Sequence, residues 1–220
     1  MLGALLRRED PRDALVARDR RTFEGLPPGA KVGTSSLRRQ SQLLARRPDL
    51  AVSDLRGNVP TRIARVKEGR LDAVVVAAAG LVRLGLPHEA SELLDETWML
   101  PAPGQGILAI QIRASDGKTA EAVRALEDRV SRAEATAERA LLSALGGGCL
   151  VPVGARGLAR DGRLVLSAFV GHPSGRPSVR LSLEGPIEAA SDLGARLAAS
   201  LLRDGAKEIL DEVRSDEIFP

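Results

Sequence analysis

Short apolar segments alternate with longer amphipathic ones between residues 31 and 84. Lys31–Ser35 is predicted to be a short strand, and Ser36 can cap a helix over Leu37–Arg47. Leu50–Leu55 is predicted to be a second strand. The spacing therefore predicts a repeated strand and helix unit.

The unit continues after residue 57. Pro60 lies near the first position of a predicted helix that runs to about Glu68, with Gly69 as its C-cap. Leu71–Ala78 is an uninterrupted apolar run rich in β-branched residues, which is typical of a strand buried on both faces. Strand, helix, strand, helix and strand in this order predict a parallel sheet with right-handed crossovers.

Two more segments flank this unit. Leu2–Leu6 and Ile107–Ile112 are apolar and are predicted to be strands, and a helix is predicted over Thr119–Val130. The Pro- and Gly-rich segment Pro101–Gly106 is either a hinge between domains or an ordinary loop.

The last third predicts a small α+β domain. Ser131 begins a capping-box pattern for a helix to about Leu145. Asp161-Gly162 is a hairpin signal, and a final helix is predicted over Ile187–Arg203. Three strands are predicted near Val151–Leu158, Arg163–Val170 and Ser178–Glu184.

Composition and charge narrow the function. Aromatic residues make up 2% of the 220 residues, which argues against binding single-stranded nucleic acid by base stacking. Residues 1–70 carry 16 Lys and Arg against 8 Asp and Glu, whereas residues 71–220 carry 16 against 21. Nearly all of the basic residues are arginines, and a guanidinium suits carboxylates and phosphates.

The single cysteine favours a reducing, cytoplasmic compartment, because no internal disulfide can form. No apolar run approaches the length of a membrane helix. The first ten residues are too short and too quickly charged for a signal peptide, and they resemble a strand cut in mid-protein. We therefore expect the biological N-terminus to lie upstream of Met1.

Three segments at the predicted carboxyl ends of the strands combine small or polar residues with arginine. They are residues 34–39, 56–58 and 79–83. Ligands of parallel sheets bind at these ends, where helix N-termini supply N–H donors. Several arginines together predict a site for an anion with several charges.

Cys149 follows three glycines at the end of a predicted helix, and two interpretations are open. A lone cysteine is commonly a small buried apolar residue. It could also be an attachment point, because the glycines allow close approach of a ligand. His88 and His172 are expected to be surface residues, and no metal-binding or P-loop spacing is present.

Seven sequence blocks, taken in order, resemble the porphobilinogen deaminase (hydroxymethylbilane synthase) family. Three of them are highly specific in combination, though each alone is weak: Gly33–Gln40 with Arg38-Arg39, Leu55–Val59 and Thr61-Arg62 with Arg56-Gly57-Asn58, and Gly147–Pro152 with Gly147-Gly148-Cys149. The others are Glu9–Ala14, Ala79-Gly80-Leu81, Gly104-Gln105-Gly106 and Thr136–Arg139.

The resemblance implies an α/β fold of three domains. Residues 1–6 and 106–129 would be a remnant of the first domain, and residues 7–105 the second, a parallel or mixed sheet domain like those of periplasmic binding proteins, with a hinge near 101–106. Residues 130–220 would form the third, small α+β domain. The cofactor implied is dipyrromethane, attached to Cys149 through a thioether. The reaction implied is the stepwise, deaminative condensation of porphobilinogen into the linear tetrapyrrole hydroxymethylbilane.

The resemblance also implies roles for individual residues. Ser36, Arg38, Arg39, Arg56 and Gly57 would bind the cofactor, and Arg62 and Arg83 the substrate. The family's catalytic aspartate lies in a segment that would precede Met1, so no residue of this chain is matched to it. Asp10 and Asp13 belong to a different motif. We therefore expect the chain by itself to be an inactive truncation.

Two other interpretations remain open from the sequence. A non-enzymatic anion-binding module of the periplasmic type would have no use for a thiol on a glycine-rich loop. A nucleic-acid binder would need a recognised reading motif, and none is found. The resemblance implies porphobilinogen as the partner, with no nucleic acid, membrane or metal, and a monomer as the expected state.

Overall fold

The computed structural model describes residues 1–148 and 151–218, which form three β-sheets with helices packed on them. The strands are β1 (Leu2–Leu5), β2 (Asp13–Ala17), β3 (Lys31–Gly33), β4 (Ala51–Ser53), β5 (Ala73–Ala77), β6 (Glu92–Leu93), β7 (Ala109–Gln111), β8 (Val153–Arg160), β9 (Arg163–Gly171) and β10 (Ser178–Pro186). The helices are α1 (Leu37–Arg46), α2 (Val59–Lys67), α3 (Ala78–Arg83), α4 (Gly117–Arg124), α5 (Arg129–Ala144), α6 (Ala190–Leu201) and α7 (Lys207–Ile218).

The largest sheet has five strands in the order β4-β3-β5-β2-β6. The predicted parallel arrangement is confirmed for β3, which pairs in parallel with β4 and β5. β2 and β6 were not anticipated, and β2 pairs antiparallel with both β5 and β6. The sheet is therefore mixed.

Both faces of this sheet are covered, as the apolar run of β5 predicts. Leu15, Val32 and Val75 belong to one buried cluster, which also contains Leu43 of α1. The even-numbered residues of β2 and β5 belong to a second buried cluster, which also contains Ile63 of α2. Successive side chains of a strand point to opposite faces, so the β2 and β5 backbones lie between two cores.

β1 and β7 pair antiparallel in a two-stranded sheet, which confirms strands near both predicted segments. The chain leaves this sheet and returns to it through two segments that lie side by side. Leu6 N–H donates to Leu108 O at 3.0 Å, and Glu9 N–H donates to Gly106 O at 3.1 Å. The Pro- and Gly-rich segment and the segment of residues 6–9 are thus two adjacent crossings, which connect the two-stranded sheet to the five-stranded sheet.

The third sheet is an antiparallel meander in the order β10-β9-β8. Asp161 and Gly162 have φ angles of 51° and 73°, as a two-residue type I′ hairpin requires, so the predicted hairpin is confirmed. α5 and α6 pack on this sheet, and Leu193, Leu197 and Leu201 lie in its core as their spacing predicts.

The prediction of one helix over residues 119–130 is wrong. α4 ends at Arg124, and α5 begins at Arg129 with Asp128, not Ser131, as its N-cap. Asp128 Oδ1 accepts the N–H of Ser131 at 2.7 Å. The Ser131 hydroxyl accepts the N–H of Arg8 at 2.9 Å instead of capping the helix.

The final helix differs from its prediction at both ends. Ile187–Ala189 is a 3₁₀ turn, and the α-helix runs only to Leu201. A π-type segment follows, in which Gly205 has a φ of 103°, and α7 then begins. The break depends on Gly205, because that φ disfavours residues with a Cβ.

Both crossings are fastened to α5 by buried charges. Arg8 contacts Glu134 and Glu138, whose side chains are 6% and 0% exposed. Arg156 of β8 joins Glu134 to Glu96, which lies just after the five-stranded sheet. This network fixes the third sheet against the other two. Within the described ranges, no helix has the length and apolarity needed to cross a membrane.

Candidate functional site

The candidate site lies at the carboxyl ends of β3 and β4, where α1 and α2 begin. Ser36 caps α1 and its hydroxyl accepts the Arg39 N–H at 3.4 Å. Asn58 caps α2 and its side chain accepts the Thr61 N–H at 3.0 Å. β3 and β4 are parallel neighbours, so both helix N-termini lie along the same edge of the sheet.

Arg39 is held from beneath by the strands. Its Nε and Nη2 atoms donate to Asp13 Oδ1 at 3.1 and 2.7 Å, and its Nη1 donates to Val75 O at 3.2 Å. The side chain is 11% exposed. A guanidinium has five N–H groups, so one N–H on each terminal nitrogen of Arg39 is left for another acceptor.

Arg38 is buried more deeply, at 4% side-chain exposure. Its Nη1 donates to Asp13 Oδ2 at 2.7 Å and to Leu100 O at 2.6 Å. Its Nη2 lies 3.5 Å from the side-chain oxygen of Gln105. Arg38 therefore joins the sheet to the crossing segment.

Asp13 is the shared counter-ion of the two arginines and is fully buried. Burial by itself would raise the pKa of this carboxyl. The charges and hydrogen bonds of Arg38 and Arg39 outweigh burial and lower the pKa of Asp13 to about 2. Asp13 is thus ionised, and the trio of side chains keeps one net positive charge.

Arg62 of α2 approaches the same place from the second loop. Its Nε donates to Gly57 O at 2.9 Å, and its Nη2 lies 3.4 Å from the Ser35 hydroxyl. The pKa of Arg62 is lowered, first by burial and second by the positive charge of Arg39. The positive charge of Arg39 thus disfavours the charged form of Arg62, and an anion bound at this edge of the sheet would offset that effect.

The other predicted residues are placed differently. The Arg56 side chain is 93% exposed and lies 3.6 Å from the Asp54 carboxylate. Gly57 has a φ of 117°, and this backbone presents its carbonyl to Arg62. Arg83 donates to Gly106 O at 2.7 Å, on the crossing segment. Arg38 and Arg39 are thus joined through Asp13, and Arg62 lies at the start of the neighbouring helix, whereas Arg56 and Arg83 have other partners.

Cys149 lies outside the described residues, so the expected attachment point has no structural description. The chain after it can be followed. Gly171 N–H donates to Pro152 O at 3.3 Å, and Gly171 packs so closely on the Ser41 hydroxyl of α1 that a Cβ there would collide with it. Pro152 lies three residues after Cys149 in the sequence. It is hydrogen-bonded to Gly171, and Gly171 packs on α1, the helix that carries Arg38 and Arg39.

Sequence reasoning missed two functional partners, Asp13 and Gln105. Gln105 donates to Asp13 Oδ1 at 3.0 Å and to Pro11 O at 2.6 Å. One signal was available for Asp13, which begins the apolar stretch Asp13–Ala17. A carboxylate next to such a stretch needs a cation when it is buried.

Two family models match this chain. The model of the porphobilinogen deaminase dipyromethane cofactor binding domain matches residues 1–121, and that of the porphobilinogen deaminase C-terminal domain matches residues 132–203. The chain belongs to the porphobilinogen deaminase family. Dipyrromethane is the cofactor of this family, and the enzymes are transferases of porphyrin biosynthesis.

Individual relatives extend over almost the whole chain. The porphobilinogen deaminase of Thermus thermophilus is 46% identical over 97% of this chain and 71% of its own length. That of Pelobacter propionicus is 48% identical over 99% of this chain and 70% of its own. A Salmonella typhimurium periplasmic binding protein with high arginine specificity aligns at 19% identity over 59% of each chain, with a TM-score of 0.36, too low to support an argument.

Proposed function

We propose that this chain carries the carboxylate-binding site of a hydroxymethylbilane synthase, in which Arg38, Arg39 and Arg62 bind the carboxylates of porphobilinogen and of the growing pyrrole chain. The observation that carries the proposal is the position of Arg39, Arg62 and the Ser35 and Ser36 hydroxyls where α1 and α2 begin, along one edge of the sheet. Porphobilinogen has an acetate and a propionate arm, so every pyrrole that is added brings two more carboxylates.

The charges of the group suit such a ligand. Arg38, Arg39 and Arg62 contribute three positive charges, and Asp13 neutralises one of them. Burial first, and the charge of Arg39 second, lower the pKa of Arg62, and a carboxylate bound beside both arginines would offset the second effect. Charge-assisted bonds of this kind contribute about 1.5–3 kcal/mol each. The chain's own residues thus orient the substrate and screen the charge that accumulates on the product.

The residues also fit dipyrromethane, which itself carries several carboxylates. Arg38 Nε and Ser41 Oγ are buried polar atoms without a hydrogen-bond partner in the part of the chain described here. Such atoms are costly unless a further group satisfies them. Ser36, Arg38 and Arg39 would hold the carboxylates, and Arg56 and Gly57 would close the site. The cofactor supplies the pyrrole end to which new units are joined.

We propose Cys149 as the attachment point, because Pro152, three residues later in the sequence, is hydrogen-bonded to Gly171, which packs on α1. Arg83, at the crossing segment, would meet the ends of a longer product. We interpret the three sheets as three domains with boundaries near residues 6, 106 and 130. For the first two domains we propose a cleft between them, as in periplasmic binding proteins. We also propose that the enzyme is cytoplasmic.

The experiment is a calorimetric titration of the purified chain with porphobilinogen. Arg39→Leu is expected to weaken binding by about 10- to 100-fold, which corresponds to the loss of one charge-assisted pair. Arg163→Leu is the matched control, because Arg163 is 57% exposed on the third sheet. The far-ultraviolet circular dichroism of both variants should equal that of the unmodified chain. Equal affinities in Arg39→Leu and the unmodified chain, or no binding by the latter, would refute the proposal.

A further inference from the structure

Asp13 is the one acidic side chain that contacts both neighbouring arginines of α1, among the residues described. Its Oδ2 accepts from Arg38 at 2.7 Å and its Oδ1 from Arg39 at 2.7 Å. Without such a contact, the long side chains of Arg38 and Arg39 could rotate. A single carboxylate therefore determines the direction of two guanidinium groups at once.

The position of Asp13 in the sheet keeps its carboxylate beside Arg38 and Arg39. β2 lies between β5 and β6, and Asp13 is opposite Ala77 in the β2–β5 pairing. Its own carbonyl accepts the N–H of Leu94 at 2.8 Å. A fully buried side chain on a strand with neighbours on both sides cannot swing out to make room for a ligand. Asp13 is therefore a permanent counter-ion and not a placeholder that a ligand displaces.

The contacts of Arg39 show what this counter-ion achieves. Asp13 binds the Nε and Nη2 side of the guanidinium, and Val75 O binds Nη1. The remaining N–H groups, one on each terminal nitrogen, are consequently held in one orientation. A preoriented fork loses little entropy when it binds a carboxylate.

We propose that Asp13 is a positioning residue of the carboxylate site, which acts through Arg39 and does not itself touch the ligand. This inference rests on the proposed function, since it assumes that Arg39 binds carboxylates of porphobilinogen. Gln105 contributes to the same positioning, because its side-chain N–H donates to Asp13 Oδ1, the oxygen that also accepts from Arg39.

A double-mutant cycle in porphobilinogen affinity tests this inference. Arg39→Lys replaces the fork by a point charge and is expected to weaken binding about 10-fold. Asp13→Asn removes the counter-ion with little change in shape and is expected to weaken binding by a similar factor. The double variant should also bind about 10-fold, and not 100-fold, more weakly, because both changes remove the same oriented fork.

Glu138→Gln provides the matched control. Glu138 is also fully buried and bound to an arginine, but it lies on α5 and, among the described residues, contacts neither Asp13 nor Arg39. The variant Glu138→Gln should destabilise the fold and leave porphobilinogen affinity unchanged. Combined with Arg39→Lys, its effect on affinity should be additive, so the double variant should bind as weakly as Arg39→Lys alone. A purely structural role of Asp13 would give the same additive result. Additivity in the Asp13 cycle therefore overturns the inference.

A second variant covers the case in which Asp13→Asn does not fold. Gln105→Ala removes the amide bond to Asp13, together with the contacts to Pro11 O and Arg38, and keeps both ion pairs of Asp13. It should weaken binding by about 2- to 10-fold and couple to Arg39→Lys. Additive effects there would contradict the inference equally. If the unmodified chain does not bind porphobilinogen, the proposed function fails, and this inference fails with it. If it binds and the cycles are additive, only the inference fails.

Discussion

Arg8 and Glu138 form a two-point ion pair, although 130 residues separate them in the sequence. Arg8 Nη1 donates to Glu138 Oε1 at 2.7 Å, and Nη2 donates to Oε2 at 2.9 Å. The same carboxylate accepts the backbone N–H of Gly104 at 2.6 Å and that of Gly157 at 2.7 Å. One side chain of α5 thus holds both crossings and the first strand of the third sheet.

We expect Glu138→Ala to lower the free energy of unfolding by about 3–5 kcal/mol, because it leaves the buried Arg8 charge without its main partner. The control is Glu184→Ala, which breaks a 2.7 Å pair with Arg163 whose side chains are 57% and 51% exposed. An exposed pair contributes about 1 kcal/mol or less. Urea unfolding measures both variants, and equal losses would show that Glu138 is not a structural centre.

The packing of α6 on α5 gives a second prediction. A Cβ on Gly194 would collide with the carbonyl oxygen of Ala137 and lie 2.9 Å from Ala140 Cβ. Gly194→Ala should therefore cost about 1–3 kcal/mol, because the two helices must move apart. Gly117→Ala is the control, since a Cβ at the start of α4 meets nothing within 4 Å. A thermal midpoint that is unchanged in Gly194→Ala would contradict the close packing of the helices.

The depressed pKa of Asp13 predicts a pH dependence of stability. Its folded value of about 2 lies below its ordinary value of 3.8. The ionised form therefore stabilises the fold fully above about pH 4, and this contribution is lost as the pH falls through 2. The free energy of unfolding of the unmodified chain, minus that of Asp13→Asn, should fall by about 1 kcal/mol between pH 6 and pH 3. A difference that does not change with pH would mean that Asp13 is not ionised in its ion pairs.

Local signals account for the parts of the fold that the sequence predicts well. The helix after Ser36 and the hairpin at Asp161-Gly162 depend on caps and on φ angles that a few adjacent residues determine. The cap of α5 was assigned wrongly to Ser131 because its hydroxyl is occupied by Arg8, which lies 123 residues away. Tertiary contacts of this kind leave no trace in a local pattern.

The candidate site shows the same limit. The arginines could be predicted from their place after the strands, and Arg38, Arg39 and Arg62 do come together. The role of Asp13 could not be predicted, because its partners are 25 and 26 residues away and β2 joins the sheet antiparallel. Only the three-dimensional pairing of β2 with β5 places this carboxylate under α1.

The tether at Cys149 is tested most directly by mass spectrometry of one tryptic peptide. Cleavage after Arg139 and Arg156 releases residues 140–156, which contain the only cysteine. After incubation of the chain with porphobilinogen, this peptide should carry the additional mass of two pyrrole units, and Cys149→Ser should abolish the addition. An unmodified peptide from a chain that binds porphobilinogen, or the same added mass on a different peptide, would contradict the account.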